Sequence, residues 1–253
     1  LQAGTSHYFG DGFARAFDIT FTGKDNVLHH PFQTSWGVST RMIGGIIMTH
    51  GDDRGLVLPP RIAPIQAMVI PVAQHKEGVL AAAQGLLDRL TAAGIRARMD
   101  DSDQSMGWKA AQYEMKGIPL RVEIGPKDME KEQCCICRRD SGEKLFVPLA
   151  QLESEVRRLL DEVHDGLYAR ALKNREDHTR VCRSLEEVRD FVQTEGGFAK
   201  TMWCGDLACE LRMKDEAGVS SRCMPLDQGE PVDTVCPCCG KPAKKVIYWG
   251  VAY

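Results

Sequence analysis

The spacing of apolar positions changes character twice along this chain. Over residues 1–63 it is irregular, with Gly, Thr, Ser and aromatic residues mixed together. Phe17–Phe21 (FDITF) alternates apolar and polar side chains and predicts a strand, and Thr40–Met48 is apolar enough for a buried helix. Pro59 and Pro60 stop any regular element, so a domain boundary is expected shortly after them, at residue 63. Residues 64–175 follow an α/β rhythm. Ala67–Val72 reads as a short buried strand, and Val79–Ala93 as a helix with Leu80, Ala83, Leu87 and Leu90 on one face, closed by Gly94. A strand at Ile95–Met99 leads into the acidic turn Asp100-Asp101, a helix at Trp108–Lys116 is closed by Gly117, and Leu120–Ile124 is the next strand. Cys134–Arg138 and Lys144–Val147 flank Asp140-Ser141-Gly142, a hairpin-turn signature. These segments predict a mixed five-stranded sheet with helices packed on it, left by a long helix from Leu149 to about Arg175. In residues 176–253, Ser184 and Glu187 have capping-box spacing for a helix through Phe191, and Val246–Trp249 is a closing strand.

With 253 residues, 43% hydrophobic and 26% charged, the chain can bury cores in two or three small domains, which excludes general disorder. No run approaches the roughly 18 consecutive apolar residues of a membrane helix, and no secretion signal opens the chain. A cytoplasmic protein with no membrane partner is expected. The first residue is Leu1, not Met, which suggests the back portion of something longer. The net charge of −3 excludes a strong overall field toward nucleic acid. Basic and acidic residues number 5 and 5 over residues 1–63, 17 and 17 over 64–175, and 10 and 13 over 176–253. A nucleic-acid surface in the charge-dense middle must therefore be a local patch, with carboxylates reading base edges beside cations on phosphates.

Ten cysteines are many for a reducing compartment, and their spacing sorts them. Cys204-x4-Cys209 and Cys236-x2-Cys239-Gly240 are two pairs about 27 residues apart, able to close four thiolates around a tetrahedral zinc ion. Such a site is closed to substrate and hence structural. Cys238, between the second pair, could stand in for one ligand. Cys134, Cys135 and Cys137 precede a hairpin turn and read as packing residues of a strand; Cys182 and Cys223 read as core or surface thiols.

Other candidates are weak singly. Gln2, Thr5, Ser6 and His7 lie near the start, and Trp36-Gly37-Val38-Ser39-Thr40-Arg41 hints at phosphate binding or base stacking, although such runs also cap helices. Asp52 and Asp53 read as solvated turn carboxylates.

Taken in order, the runs LQAGTSH, YFGDGFARAFDITF, TSWGVSTRMIGGIIMTHGDDRGLVLPPRIAPIQ, GIPLRVEIGPKD and the closing cysteine pairs resemble the archaeal and eukaryotic type of prolyl-tRNA synthetase, from residue 1 to Tyr253. The resemblance implies three parts: the end of a class II antiparallel-sheet catalytic domain (1–63), a mixed five-stranded α/β anticodon-binding domain (64–175), and a small α/β zinc-bearing domain (176–253). WGVSTR resembles the class II third motif. Its Arg41 is implied to lie along the adenine ring and near the phosphates of ATP, with Gln2, Thr5, Ser39 and Thr40 also at ATP. Ser39 and Thr40 are expected in the same strand as the arginine. His7 and Trp36 are implied to line the proline pocket, and Glu114, Arg121, Lys127 and Asp128 to meet the tRNA anticodon. Where a relative carries an aromatic residue to stack on a base, this chain has Ala110, with Trp108 and Tyr113 close by.

The implied function is that of a proline–tRNA ligase: ATP with Mg2+ and L-proline give prolyl-adenylate, whose prolyl group passes to tRNA(Pro), in a homodimeric full-length enzyme. The first and second class II motifs are expected before residue 1, so these 253 residues alone are expected to be inactive. The competing reading is a non-catalytic tRNA- or RNA-binding module derived from a synthetase. A zinc hydrolase using His29 and His30 with the cysteines finds no support in their spacing.

Overall fold

The computed structural model describes residues 4–251. Residues up to His50 are built from short pieces: β1 (Gly4–Gly10), α1 (Gly12–Ala16), the two-residue strands β2 (Phe21–Thr22) and β3 (Leu28–His29), β4 (Gln33–Val38) and α2 (Arg41–His50). β1 pairs antiparallel with β4, and β2 with β3. The strand expected over Phe17–Phe21 does not form. Phe17 caps α1, Asp18 turns left-handed at φ 52°, and the Ile19 N–H donates back to the Ala14 carbonyl at 2.8 Å, so only Phe21 reaches a ladder. The helix expected at Thr40–Met48 is present as α2, but none of its side chains is buried; Met42, Ile43, Ile47 and Met48 are exposed. Periodicity marks an apolar face, whereas burial needs a surface to cover it, and none of the described residues supplies one here.

The next stretch contains β5 (Ala67–Pro71), α3 (Val79–Ala92), β6 (Ala97–Met99), α4 (Met106–Met115), β7 (Leu120–Ile124), α5 (Pro126–Glu130), β8 (Gln133–Arg138), β9 (Lys144–Pro148) and α6 (Leu152–Asp177). The sheet order is β6-β5-β7-β8-β9, with β6, β5 and β7 parallel and β8 and β9 antiparallel. Period-2 alternation divides it into two faces. Val69, Val122 and Ile136 point to the side covered by α3 and α6, where Leu86, Leu90, Val156, Leu159 and Val163 close the main core. Met68 and Ile70 point to the other side, against Met106 and Tyr113 of α4. The inward stripe of α3 is Val79, Ala83, Leu86 and Leu90, while the expected Leu80 is exposed. The two stripes share Ala83 and Leu90, and the sequence pattern fits both; contact with the sheet selects between them.

Tyr168–Tyr253 forms a second compact unit, distinct from Leu1–Leu167. It contains β10 (Thr179–Val181), α7 (Leu185–Thr194), β11 (Phe198–Trp203), α8 (Leu207–Ala217), β12 (Val219–Cys223) and β13 (Lys245–Val251), with strand order β10-β11-β13-β12. Ser184 caps α7 by accepting from the Glu187 N–H at 3.1 Å, and the Glu187 carboxylate returns to the Arg183 N–H. Trp249 centres this core, its indole N–H donating to the buried Thr201 hydroxyl at 2.9 Å. No helix among the described residues is long and apolar enough to cross a membrane.

Candidate metal centre and nucleic-acid interface

Four sulfurs converge in the second unit. Cys204 precedes α8, Cys209 lies in its first turn, and Asp206 caps that turn by accepting from the Ala208 N–H at 2.9 Å. Cys236 and Cys239 flank a tight turn in which the Gly240 N–H donates to the Cys236 carbonyl at 2.9 Å, with Gly240 at φ 69°. The ligand atoms of Cys204, Cys209, Cys236 and Cys239 all lie within 4.8 Å of one another. Cys204 is 3.7 Å from Cys209 and 3.8 Å from Cys239, sulfur to sulfur. A tetrahedral ion with metal–sulfur bonds of about 2.3 Å separates its ligands by about 3.8 Å, so the donor set fits zinc. Burial opposes ionisation of Cys236, but backbone N–H groups aimed at its sulfur, including those of Cys238 and Cys239, bring its pKa down to about 7. Burial and the neighbouring thiols hold Cys209 well above the ordinary range. Cys238 is not part of the group: its thiol donates to the Cys209 carbonyl at 3.5 Å and packs against the core.

The strand cysteines are packing residues. Cys134, Cys135 and Cys137 are all buried on β8, and burial pushes Cys134 up to about 12 and Cys135 to about 11. Cys182 is buried and Cys223 exposed. His29 and His30 have other work: His29 pairs with Asp25 at 2.8 Å, and His30 Nδ1 bonds the Ile19 carbonyl at 2.9 Å.

On the α4 side of the first unit's sheet, register puts Arg121 beside Met68 and Cys137, and Glu123 beside Ile70 and Cys135. Arg121 is buried between two carboxylates, Glu114 of α4 and Glu123, each at 3.2 Å; the Arg121 Nη1 also donates to the Ala110 carbonyl at 3.4 Å. Glu114 is the more open of the pair, with a side chain 27% exposed against 10% for Glu123. Lys127 and Asp128 lie just beyond the carboxyl end of β7. Lys127 is exposed, whereas Asp128 accepts from the Gly125 N–H at 2.9 Å and so caps α5. Glu114 and Arg121 are thus in contact, with Lys127 and Asp128 on a neighbouring element. Trp108 is exposed on α4.

Sequence reasoning passed over several members of this polar layer. Glu123 is readable in hindsight from Arg121-x-Glu123, since strand period 2 puts both on one face. Lys109 is buried and donates to the Asp100 carbonyl at 2.9 Å, and the Tyr113 hydroxyl donates to the Asp100 carboxylate at 2.7 Å. Asp52 is an exposed turn carboxylate, as expected, but it also holds a distant partner. Arg139, its side chain only 2% exposed, donates to both Asp52 oxygens at 2.6 and 2.8 Å and holds that carboxyl well below the usual range. No local pattern announces a pair 87 residues apart.

Of the residues implied for ATP and proline, Gln2 lies outside the described residues. Thr5 pairs with Gly37 and His7 with Ser35, so Thr5 and His7 share a face of the β1–β4 ladder. Trp36 pairs with Ser6 and belongs to the opposite face, 79% exposed. Ser39 and Thr40 are not in a strand with the arginine, because β4 ends at Val38. Thr40 is the N-cap of α2, Arg41 is its first residue, and the Arg41 N–H donates to the Ser39 hydroxyl at 3.3 Å.

The first unit is thus an open mixed sheet with a charged helix-and-strand face, and the second carries a four-cysteine module. Residues 66–159 match the family model of the anticodon binding domain, and residues 185–253 match the model described as prolyl-tRNA synthetase, C-terminal. Over all 253 residues the chain is 53% identical to a proline–tRNA ligase of Clostridium novyi (strain NT) and 54% identical to those of Oceanobacillus iheyensis and Ruminiclostridium cellulolyticum. It covers 52% of each, about half the length of these relatives. The two family models and the relatives together support a prolyl-tRNA synthetase C-terminal portion. Neither family model covers residues 1–65, and the described residues do not form a complete catalytic domain.

Proposed function

We propose that the chain serves a proline–tRNA ligase, in which L-proline and ATP give prolyl-adenylate and the prolyl group is then transferred to tRNA(Pro). The observation that carries this is the Glu114–Arg121–Glu123 cluster inside a matched anticodon-binding domain. Residues 1–63 are the tail of a class II catalytic domain, 64–175 bind the anticodon, and 176–253 form the metal-bearing domain. In the tail, Arg41 contributes a planar, permanently charged guanidinium suited to stacking on adenine and to neutralising phosphate. Ser39, Thr40 and Thr5 supply hydroxyls around ATP, and His7 a hydrogen-bonding ring at the proline. Such catalysis is chiefly positioning and charge stabilisation at phosphorus, so the fixed turn Ser39-Thr40-Arg41 matters more than any proton transfer. On the anticodon face, Glu114 accepts from base amino groups and Lys127 meets guanine edges or phosphate, while the buried Arg121 holds the Glu114 carboxylate in place for the anticodon. The four cysteines hold a structural zinc ion that contributes folding free energy and no reaction step. The exposed apolar surface of α2, β1 and β4 belongs against the remainder of the catalytic domain, and the 253 residues alone do not activate proline.

The test compares wild-type full-length enzyme with Lys127→Ala, an exposed site, and Arg121→Ala. Both variants should impair tRNA charging by tenfold or more, about 1.4 kcal/mol each, while leaving proline-dependent pyrophosphate exchange intact. Equal losses in charging and exchange would remove these residues from the anticodon site. Exchange by the isolated 253-residue polypeptide would overturn the division of labour.

A further inference from the structure

We infer that Arg139 and Asp52 are positioning residues that clasp the carboxyl end of α4 to the segment following α2, and so fix Glu114 and Arg121 for anticodon recognition. The inference rests on the reading of that face given above. The last carbonyls of α4 have no partner within the helix. The Glu114 carbonyl accepts from Arg139 Nε at 2.8 Å, and the Met115 carbonyl accepts from the Leu56 N–H at 3.0 Å. Two residues past the helix, the Gly117 carbonyl accepts from the Leu58 N–H at 3.2 Å. The Lys116, Ile118 and Gly117 N–H groups close the Gln112, Tyr113 and Glu114 carbonyls locally, and to this closure are added Leu56, Leu58 and a buried arginine whose other two nitrogens grip Asp52.

The fit is interlocked. Gly55 adopts φ 128°, and a Cβ there would come within 2.6 Å of the Met115 backbone; a Cβ on Gly117 would come within 2.6 Å of Leu56. Only glycine permits either approach. Arg139 is itself tied to the start of β7, its N–H donating to the Pro119 carbonyl at 2.9 Å. A positive guanidinium also suits the negative end of a helix. The clasp therefore touches α4 at the backbone of Glu114, the residue whose side chain holds Arg121, while Asp52 follows the carboxyl end of α2 by one residue beyond Gly51. A continuous run of bonded groups joins Arg41, at the start of α2, to the Glu114–Arg121 pair. A clasp of this kind sets the register of α4 against β7, and register decides how the Glu114 carboxylate, held by the buried Arg121, is presented to a base.

The experiment uses the full-length enzyme with Asp52→Asn, Asp52→Glu and Arg139→Lys, and Asp53→Asn as a neighbouring control. Two quantities are measured: proline-dependent pyrophosphate exchange, and kcat/KM for charging a tRNA(Pro) transcript with its native anticodon and one with the anticodon bases replaced. Asp52→Asn and Arg139→Lys should lower the ratio between transcripts by about tenfold. Exchange should hold, and Asp52→Glu should restore most of the ratio. An unchanged ratio in Asp52→Asn and Arg139→Lys overturns the positioning role, as does a fall in exchange parallel to the fall in charging, which marks a purely structural contact. A wild-type enzyme that charges both transcripts equally overturns the anticodon reading, and the clasp with it; discrimination by wild type and Asp52→Asn alike overturns the clasp alone.

Discussion

Cys134, Cys135 and Cys137 are as closely spaced as any metal-binding run, yet their sulfurs have no common focus, whereas Cys204, Cys209, Cys236 and Cys239 meet from positions up to 35 residues apart. The difference lies in the backbone. On β8 the side-chain period of 2 sends Cys134 into the main core and Cys135 and Cys137 to the opposite face of the sheet. In the second unit, a helix first turn and a glycine-closed turn each aim two thiols the same way. Buried strand thiols are held protonated by desolvation, while Cys236 is drawn toward thiolate by N–H groups pointed at its sulfur. Convergence separates a metal site from a packed core; cysteine density does not, and neither does burial, which holds the Cys209 thiol up as it does those of the strand.

The largest effect that tests this contrast is Cys204→Ser. Metal content should fall from about one ion per chain toward zero, and the second unit should lose most of its stability, because apparent binding free energies for structural zinc run to about 10–16 kcal/mol. Metal analysis and thermal unfolding of the purified protein should move together. Full metal content in the variant would remove Cys204 from the ligand set.

How far the sequence discloses all this depends on the range of the interaction involved. The four converging cysteines are legible because each pair is local and its turn chemistry, Gly240 above all, is written beside it. The five strands of the mixed sheet are legible because each is a short apolar or alternating run bounded by Gly, Pro or acidic turns. The strand expected at Phe17–Phe21 fails because Asp18 takes a left-handed turn and α1 recaptures Ile19. The inward face of α3 fails by one residue, since the apolar pattern is wide enough for two stripes. The Asp52–Arg139 pair and the exposed face of α2 escape altogether. One joins distant residues through geometry alone, and the other concerns what covers a surface, which periodicity never encodes.

Cys134→Ser probes the packed side of the comparison. It buries a hydroxyl where a thiol now fills a fully enclosed site between Val147 and the α3–α6 core. An unpartnered buried hydroxyl costs about 1–3 kcal/mol. Denaturant unfolding should show that loss in the first unit, with metal content unaltered. A drop in bound metal would mean that the strand cysteines take part in binding after all.

The smallest expected effect is the most discriminating, because Cys238 lies between Cys236 and Cys239 and the spacing alone allows it to replace either as a ligand. Its sulfur donates to the Cys209 carbonyl instead, and burial pushes its thiol up to about 11, so it behaves as a core residue that braces the ligand turn. Serine keeps a donor at that position and removes only the larger, softer sulfur. Cys238→Ser should therefore retain full metal content and lose less than about 1 kcal/mol. Under competition with a chelator, its metal should leave at a rate close to that of the wild type. Release as fast as in Cys204→Ser would show that Cys238 is a ligand and that the turn presents a different pair of sulfurs to the ion.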